Sequence, residues 1–444
     1  MSEPKKIIIV GGGLSGLSAA YTLKKAGYTA DIYEAGSTTG GRCANDYTDG
    51  YEFFVGAGST EPQWKTTFQY LEELGLMDKV IKQAGESGIG LCMNDKAEIA
   101  MLGGGLGKTL KNAYHFGYKV LPKAARKQGF KFLKLLGNYK KQLDFENADF
   151  TALEPISRLS VAEWAKQNDM GDLDNYILSP LLSMMCCASS DDIAMGHLVL
   201  LFSLMQGMCS MEGGMGIISE ALTAQVADQI HFKSPVEEVV IENGKATGVR
   251  VNGEFIPADH VLVGLDAQRT LEVVPGLSEA QKAALSTCGY SRTLYYEFGL
   301  KEPIERIKHS FLMMPKDRDT ILNCISDAGD ADHPILLAHT RGEYQDELLA
   351  LDAAERDARV IAEIQKVFPE FPDKPVITKM YVWERAVNLE GPGQFEAVNK
   401  LKRDHMHDIE GLHLSGDYLF LIASTEGAMN SGQLAAEYLI GLLK

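Results

Sequence analysis

Ile7-Ile8-Ile9-Val10-Gly11-Gly12-Gly13-Leu14-Ser15-Gly16 is the stretch from which the rest of this 444-residue chain can be read. Its first four residues are β-branched and apolar at every position. That run is too short for a helix and suits a strand buried on both faces of a parallel sheet. Gly11, Gly13 and Gly16 then satisfy G-x-G-x-x-G, and Leu17 to Leu23 continues as a helix with small residues where it would press on the sheet. A second strand, Ala30 to Tyr33, ends at Glu34, 18 residues beyond Gly16.

Each part has a physical task. Gly11 permits the tight strand-to-helix turn, Gly13 lets backbone approach a pyrophosphate, and Gly16 lets the helix sit close to the strand. The helix N-terminus offers unpaired N–H groups and partial positive charge to a phosphate. Glu34 is suited to a ribose diol, and its charge disfavours a 2′-phosphate, which argues against an NADP-type ligand. Together these features predict a dinucleotide site.

The chain is longer than one core usually supports, so two interleaved domains are expected. A hydrophobic content of 45% with 23% charged residues is that of an ordinary globular protein. Met1 to Lys6 shows no secretory pattern and no apolar run is long enough to span a membrane, so a cytoplasmic protein is expected. The seven cysteines lack C-x-x-C spacing and read as reduced residues; no metal site is expected. A net charge of −17 argues against nucleic acid as a partner.

That charge is unevenly spread. Residues 108–141 carry ten Lys or Arg and no acid, interleaved with Tyr114, Phe116, Tyr118, Phe130, Phe132 and Leu133. The stretch reads either as a surface for an anionic membrane at the cytoplasmic face or as a solvated basic face.

Further along, Ala35 to Arg42 is a polar loop ending in Gly40-Gly41-Arg42, where Arg42 could neutralise a pyrophosphate with its planar fork. Gly56-Ala57-Gly58-Ser59 follows a strand at Tyr51 to Val55. These motifs make the chain resemble the superfamily of flavin-containing amine oxidases, protoporphyrinogen oxidases and phytoene desaturases, on the protoporphyrinogen oxidase and carotenoid desaturase side. Leu412 to Asp417 with Glu426-Gly427-Ala428, and Ser234-Pro235-Val236, are similar to that superfamily's closing strand and helix and to its adenine-contacting strand.

The resemblance implies an α/β fold in which a Rossmann-like FAD-binding domain (1–85, 212–270 and 405–444) is interleaved with a second, α+β substrate domain (86–211 and 271–404), mainly helical at about 90–210. It implies non-covalent FAD and a cofactor-binding set of Gly11, Gly13, Leu14, Ser15, Gly16, Glu34, Ala35, Gly41, Arg42, Gly56, Ala57, Gly58, Ser59, Val236, Gly416, Asp417, Gly427, Ala428 and Met429. Gly427 and Ala428 are expected just before a helix at Ser431 to Leu443, aiming N–H groups at a flavin carbonyl. A helix is also expected over Leu71 to Ala84. Seven methionines between Met184 and Met215 read as a pocket lining or a helical core.

A bound flavin accepts hydride itself, so no catalytic base is required and none is identified. The aromatic cage that resemblance to amine oxidases would require is missing, since Ser424 and Leu389 to Gly393 stand at its positions, and no cysteine there offers a thioether. Trp383, Tyr381 and Met215 are the candidate substrate-pocket residues. The expected activity is FAD-dependent dehydrogenation of a bulky, mostly apolar small molecule, in a chain that could form a homodimer. The alternatives are an amine or amino-acid oxidase releasing peroxide, a redox-neutral isomerase, and a non-catalytic flavin-fold binding protein.

Overall fold

The computed structural model describes residues 5–82, 87–102, 114–141, 143, 150–204, 209–420 and 422–444. The run Ile7–Val10 is a fully buried strand at the centre of a five-stranded parallel sheet. Asp31–Tyr33 and then Ile230–His231 follow on one side, His260–Val263 and Leu412–Leu414 on the other. Parallel pairing demands crossovers, and the chain supplies them from widely separated segments.

Helix Leu14–Lys25 lies under this sheet because Gly16 has no side chain: a Cβ there would stand 2.0 Å from the Gly11 carbonyl oxygen. The C-terminal helix Thr425–Leu443 packs on it equally closely, a Cβ on Gly432 meeting Ser15 O at 2.0 Å. Ser18 Oγ donates to Met429 O across the junction (3.0 Å). Apolar residues fill the space, among them Leu17, Leu23, Met215, Ile218, Met429 and Leu439.

A seven-stranded mixed sheet forms the second layer, in the order Ile377–Trp383, Thr293–Gly299, Pro334–Thr340, Leu322–Gly329, Ser310–Met313, Ser87–Met93 and Lys96–Leu102. Strand Thr293–Gly299 is covered on both faces and buried at every position, which carries Glu297 into the interior. Helices from Val161–Gln167 to Met195–Leu204 cover one end, the first held by the capping box legible in the sequence: Glu163 N donates to Ser160 Oγ and Ser160 N to Glu163 Oε2.

Three expectations are corrected. The helix placed over Leu71 to Ala84 is instead Lys65–Glu73, stopped by Gly75 at φ +70 and followed by strand Val80–Lys82; Ala84 lies outside the described residues. Residues 90–102, placed in a mainly helical part, belong to an antiparallel hairpin over 87–102 in which Gly88 and Gly90 give Ser310 and Ile99 room to cross. The C-terminal helix starts at Thr425, so Gly427 and Ala428 lie inside it. Among the described residues no helix is long and apolar enough to cross a membrane.

Candidate active site

Four neighbouring strands of the parallel sheet end at one cavity. Gly11, Glu34, Gly264 and Gly416 follow Val10, Tyr33, Val263 and Leu414 closely, and all four line a space of about 1,380 Å³. Ligands of open parallel sheets bind at these carboxyl ends, where strand order reverses. Leu14, Ser15, Gly41, Arg42, Gly56, Ala57, Gly58, Ser59, Asp417 and Ala428 line the same side.

The local chemistry suits a dinucleotide. Gly13 and Gly58 have nothing within 4 Å of the position a Cβ would take, so bare backbone faces the cavity. Glu34 accepts the Gly12 N–H at Oε2 (2.7 Å) and the Gly36 N–H at Oε1 (2.6 Å), which fixes the carboxylate and leaves further acceptor capacity on each oxygen. Asp417 is buried; Oδ2 pairs with Arg42 Nη2 at 2.9 Å, while Oδ1 has no partner. Thr425 Oγ1 is likewise buried without a partner, and Thr425 lines the cavity. Orphaned buried acceptors call for a donor, and the hydroxyl-rich chain of a flavin dinucleotide supplies donors.

Several expected residues have other tasks. Arg42 is not a free fork: its Nη1 donates to Ala386 O (2.9 Å) and its guanidinium lies 5.9 Å from the Tyr290 ring. Burial opposes its charge, but Asp417, Tyr290 and Asp266 together outweigh burial and hold the guanidinium pKa above its ordinary value. The Gly427 N–H donates to Ser424 Oγ and the Ala428 N–H to Ser424 O (both 3.0 Å), so neither is aimed at a flavin carbonyl. Gly16, Gly427 and Met429 are buried in helix packing behind the cavity wall, and Ala35 is exposed on its loop. Val236 pairs with Val251 beside a register shift and stands outside the wall.

The opposite wall comes from the second layer. Of the three pocket candidates only Trp383 reaches it, with its indole N–H on Val55 O (2.9 Å). Tyr381 gives its hydroxyl to Asp46 (3.0 Å), and Met215 is buried in the core beside Met211 and Ile218. The methionine-rich region divides: Met184 and Met185 line the cavity, Met195, Met211 and Met215 are core, and Met205 and Met208 lie outside the described residues.

Sequence reading missed Tyr295, His339, Cys187 and Cys324, which complete this wall. Tyr295 and His339 stack at 4.9 Å between rings, the Tyr295 hydroxyl donates to Phe54 O (2.5 Å), and Cys187 Sγ stands 3.8 Å from His339 Nδ1. Burial pushes the His339 pKa down to about 4 and the Cys187 thiol up to about 12, so both are neutral at pH 7. The available signal was strand alternation in 293–299 and 334–340, which puts every second side chain on one face.

Matches to known proteins agree with this geometry. The family model for flavin-containing amine oxidoreductases matches residues 14–440. The chain belongs to that family. A flavin is the cofactor of that family, whose members are oxidoreductases. It is 26% identical over 318 residues to an L-amino-acid oxidase of Daboia russelii, covering 68% of this chain and 59% of that protein. It is 25% identical over 309 residues to a 4,4'-diaponeurosporene oxygenase of Staphylococcus aureus, covering 61% and 56%. The chain thus spans less than two thirds of the length of these curated relatives. Wild-type putrescine oxidase bound to putrescine shares the fold, with a TM-score of 0.76 at 19% identity over 99% of both chains.

Proposed function

We propose that this flavin-containing oxidoreductase dehydrogenates a bulky, mostly apolar small molecule held against non-covalently bound FAD. The observation that carries the reading is an uncharged patch in the wall opposite the dinucleotide side; Arg306, Lys308, Asp327, Glu384, Arg385 and the His197 ring paired with Glu390 line the same cavity outside that patch. Met184, Met185, Cys187, Leu201, Cys324, Leu337, Tyr295 and Trp383 supply sulfur, aliphatic and aromatic surface, and His339 beside them is uncharged. Such a wall solvates an apolar skeleton well and an ammonium or a zwitterion poorly.

FAD bound there supplies the hydride acceptor. The chain's own groups bind and orient. Gly11, Gly13 and Gly58 offer close backbone, Glu34 suits a ribose diol, and the open oxygen of Asp417 suits a flavin-chain hydroxyl. Tyr295 and Trp383 are fixed by hydrogen bonds to Phe54 O and Val55 O, so their rings hold the substrate at a set height. Met184 and Met185 adapt to its shape and exclude water.

Amine oxidation is the second reading, favoured by the aromatic surfaces of Tyr295 and Trp383 in the same wall. Binding to purified holoprotein, followed through perturbation of the flavin absorbance, separates the two. The proposal expects isoprenoids or a porphyrinogen to perturb the spectrum and simple amines not to. The reverse order overturns it.

A further inference from the structure

The basic stretch plays no part in the cavity chemistry, yet the structure gives part of it a distinctive surface. Helix Lys123–Lys140 is anchored from within. Phe132 is 3% exposed and packs edge-on against Trp164 and Phe202, at 6.0 and 5.9 Å between rings. Gln128 Oε1 accepts the Leu173 N–H at 2.7 Å. With that face fixed, Phe130 (69% exposed) and Leu133 (60%) point to solvent. Lys123, Lys127 and Lys134 flank them on the same helix, all exposed, while Lys131 donates to Asn168 O at 3.2 Å.

The preceding turn adds to the same surface. Tyr114 and Tyr118 are exposed and stacked at 4.6 Å, and the Arg126 guanidinium stands 4.5 Å over the Tyr118 ring. No acid occurs anywhere in 108–141, in a chain whose net charge is −17. Lys108 and Lys111 lie outside the described residues.

A solvated basic helix has no use for an exposed phenylalanine and leucine among its lysines. Two copies of this face would repel each other, which disfavours self-association through it. Nucleic acid would meet strong repulsion from the rest of the chain. Exposed aromatic and aliphatic side chains flanked by lysines match the boundary of an anionic bilayer, where apolar tips enter the acyl edge and cations meet headgroups.

We propose that the Tyr114–Lys141 segment docks the protein on an anionic lipid surface, with Phe130 and Leu133 inserted and Lys123, Lys127 and Lys134 on the headgroups. This stands apart from the substrate reading, since it needs no turnover. Phe116 and Leu121 of this segment share an apolar cluster with Met184 and Met185, which line the wall. The docked segment therefore packs against Met184 and Met185 of the cavity wall.

The test is co-sedimentation of the flavin-loaded protein with vesicles of phosphatidylcholine alone or mixed with phosphatidylserine, the flavin absorbance reporting the bound fraction. Each basic side chain near such a surface contributes about fivefold in partitioning. Binding is expected only on the mixed vesicles and is expected to weaken roughly tenfold or more in Lys127→Glu/Lys134→Glu. Lys127→Arg/Lys134→Arg should bind as the parent does. Phe130→Glu/Leu133→Glu should also abolish binding, with flavin content and melting temperature confirming that the variant folds. Equal binding to both vesicle types, or mixed-vesicle binding unchanged in the glutamate variants, overturns the proposal. So does a concentration-dependent dimer that Phe130→Glu/Leu133→Glu dissolves while lipid binding persists.

Discussion

The Arg42 guanidinium and the Asp417 carboxylate meet at 2.9 Å, joining the loop after the second parallel strand to the end of the last one across 375 residues of chain. Only one carboxylate oxygen is used, and the other is buried and open. Asp417→Ala strips Arg42 of its partner, at a cost on the order of 3 kcal/mol. It also removes the acceptor offered to the cofactor. The expected outcome is a lower melting temperature together with loss of flavin during purification. Asp417→Asn, which keeps an oxygen in place, should fall between the two in flavin content per chain.

Gly13 and Gly16, three residues apart, should fail differently. Gly13→Ala meets nothing within 4 Å, so the apoprotein should melt within about 1 kcal/mol of the parent. Its FAD affinity should drop roughly tenfold or more, because the new methyl occupies the backbone approach. Gly16→Ala drives a Cβ against the Gly11 carbonyl and should destabilise the fold by roughly 3 kcal/mol or more with or without FAD. Thermal melts with and without added FAD distinguish these outcomes.

How much of this could be read beforehand depended on distance along the chain. The turn from Val10 through Gly16 to Glu34 is local, and G-x-G-x-x-G reports geometry that neighbouring residues impose on one another. The Ser160–Glu163 capping box is legible for the same reason. Arg42 reads as a phosphate clamp from its local sequence, which cannot show that Ala386 O and Asp417 each engage one end of its guanidinium. Tyr295, His339 and Cys187 come from three separate segments. Each is ordinary where it stands, and they become a wall only when the seven-stranded sheet pairs Tyr295 with His339. Met215 had the composition of a pocket residue and lies in the core, since methionine fills either place equally well.

Glu297 offers a pH test. It is fully buried opposite Lys379, which turns to Asp46, and it accepts only the Phe54 N–H, at 3.1 Å to each oxygen. Burial raises its pKa to about 8. The folded state therefore prefers the protonated acid, while an unfolded chain ionises it near pH 4.5. Stability from this group is full below about pH 4.5 and is lost as pH rises towards 8, by about 1.4 kcal/mol per unit. Glu297→Gln should remove that slope, so its melting temperature should gain on the parent between about pH 5 and 8 and run parallel above.

His339 acts in the opposite direction. Its folded pKa, lowered by burial to about 4, lies below the ordinary 6.5. Its contribution is full above about pH 6.5 and is lost as pH falls towards 4, because the unfolded chain takes up the proton first. His339→Phe keeps a ring against Tyr295 and cannot titrate. Its melting temperature should fall less than the parent's between about pH 6.5 and 4.5; equal falls would mean that His339 is not held neutral.

The proposed dehydrogenation of an apolar molecule is tested most directly by anaerobic reduction of the flavin in the purified holoprotein, with amines, amino acids, isoprenoids and a porphyrinogen as separate hydrogen donors. Bleaching of the flavin absorbance by an isoprenoid or a porphyrinogen, with a product lighter by two hydrogens, is the predicted result. Bleaching by amines or amino acids alone would contradict it.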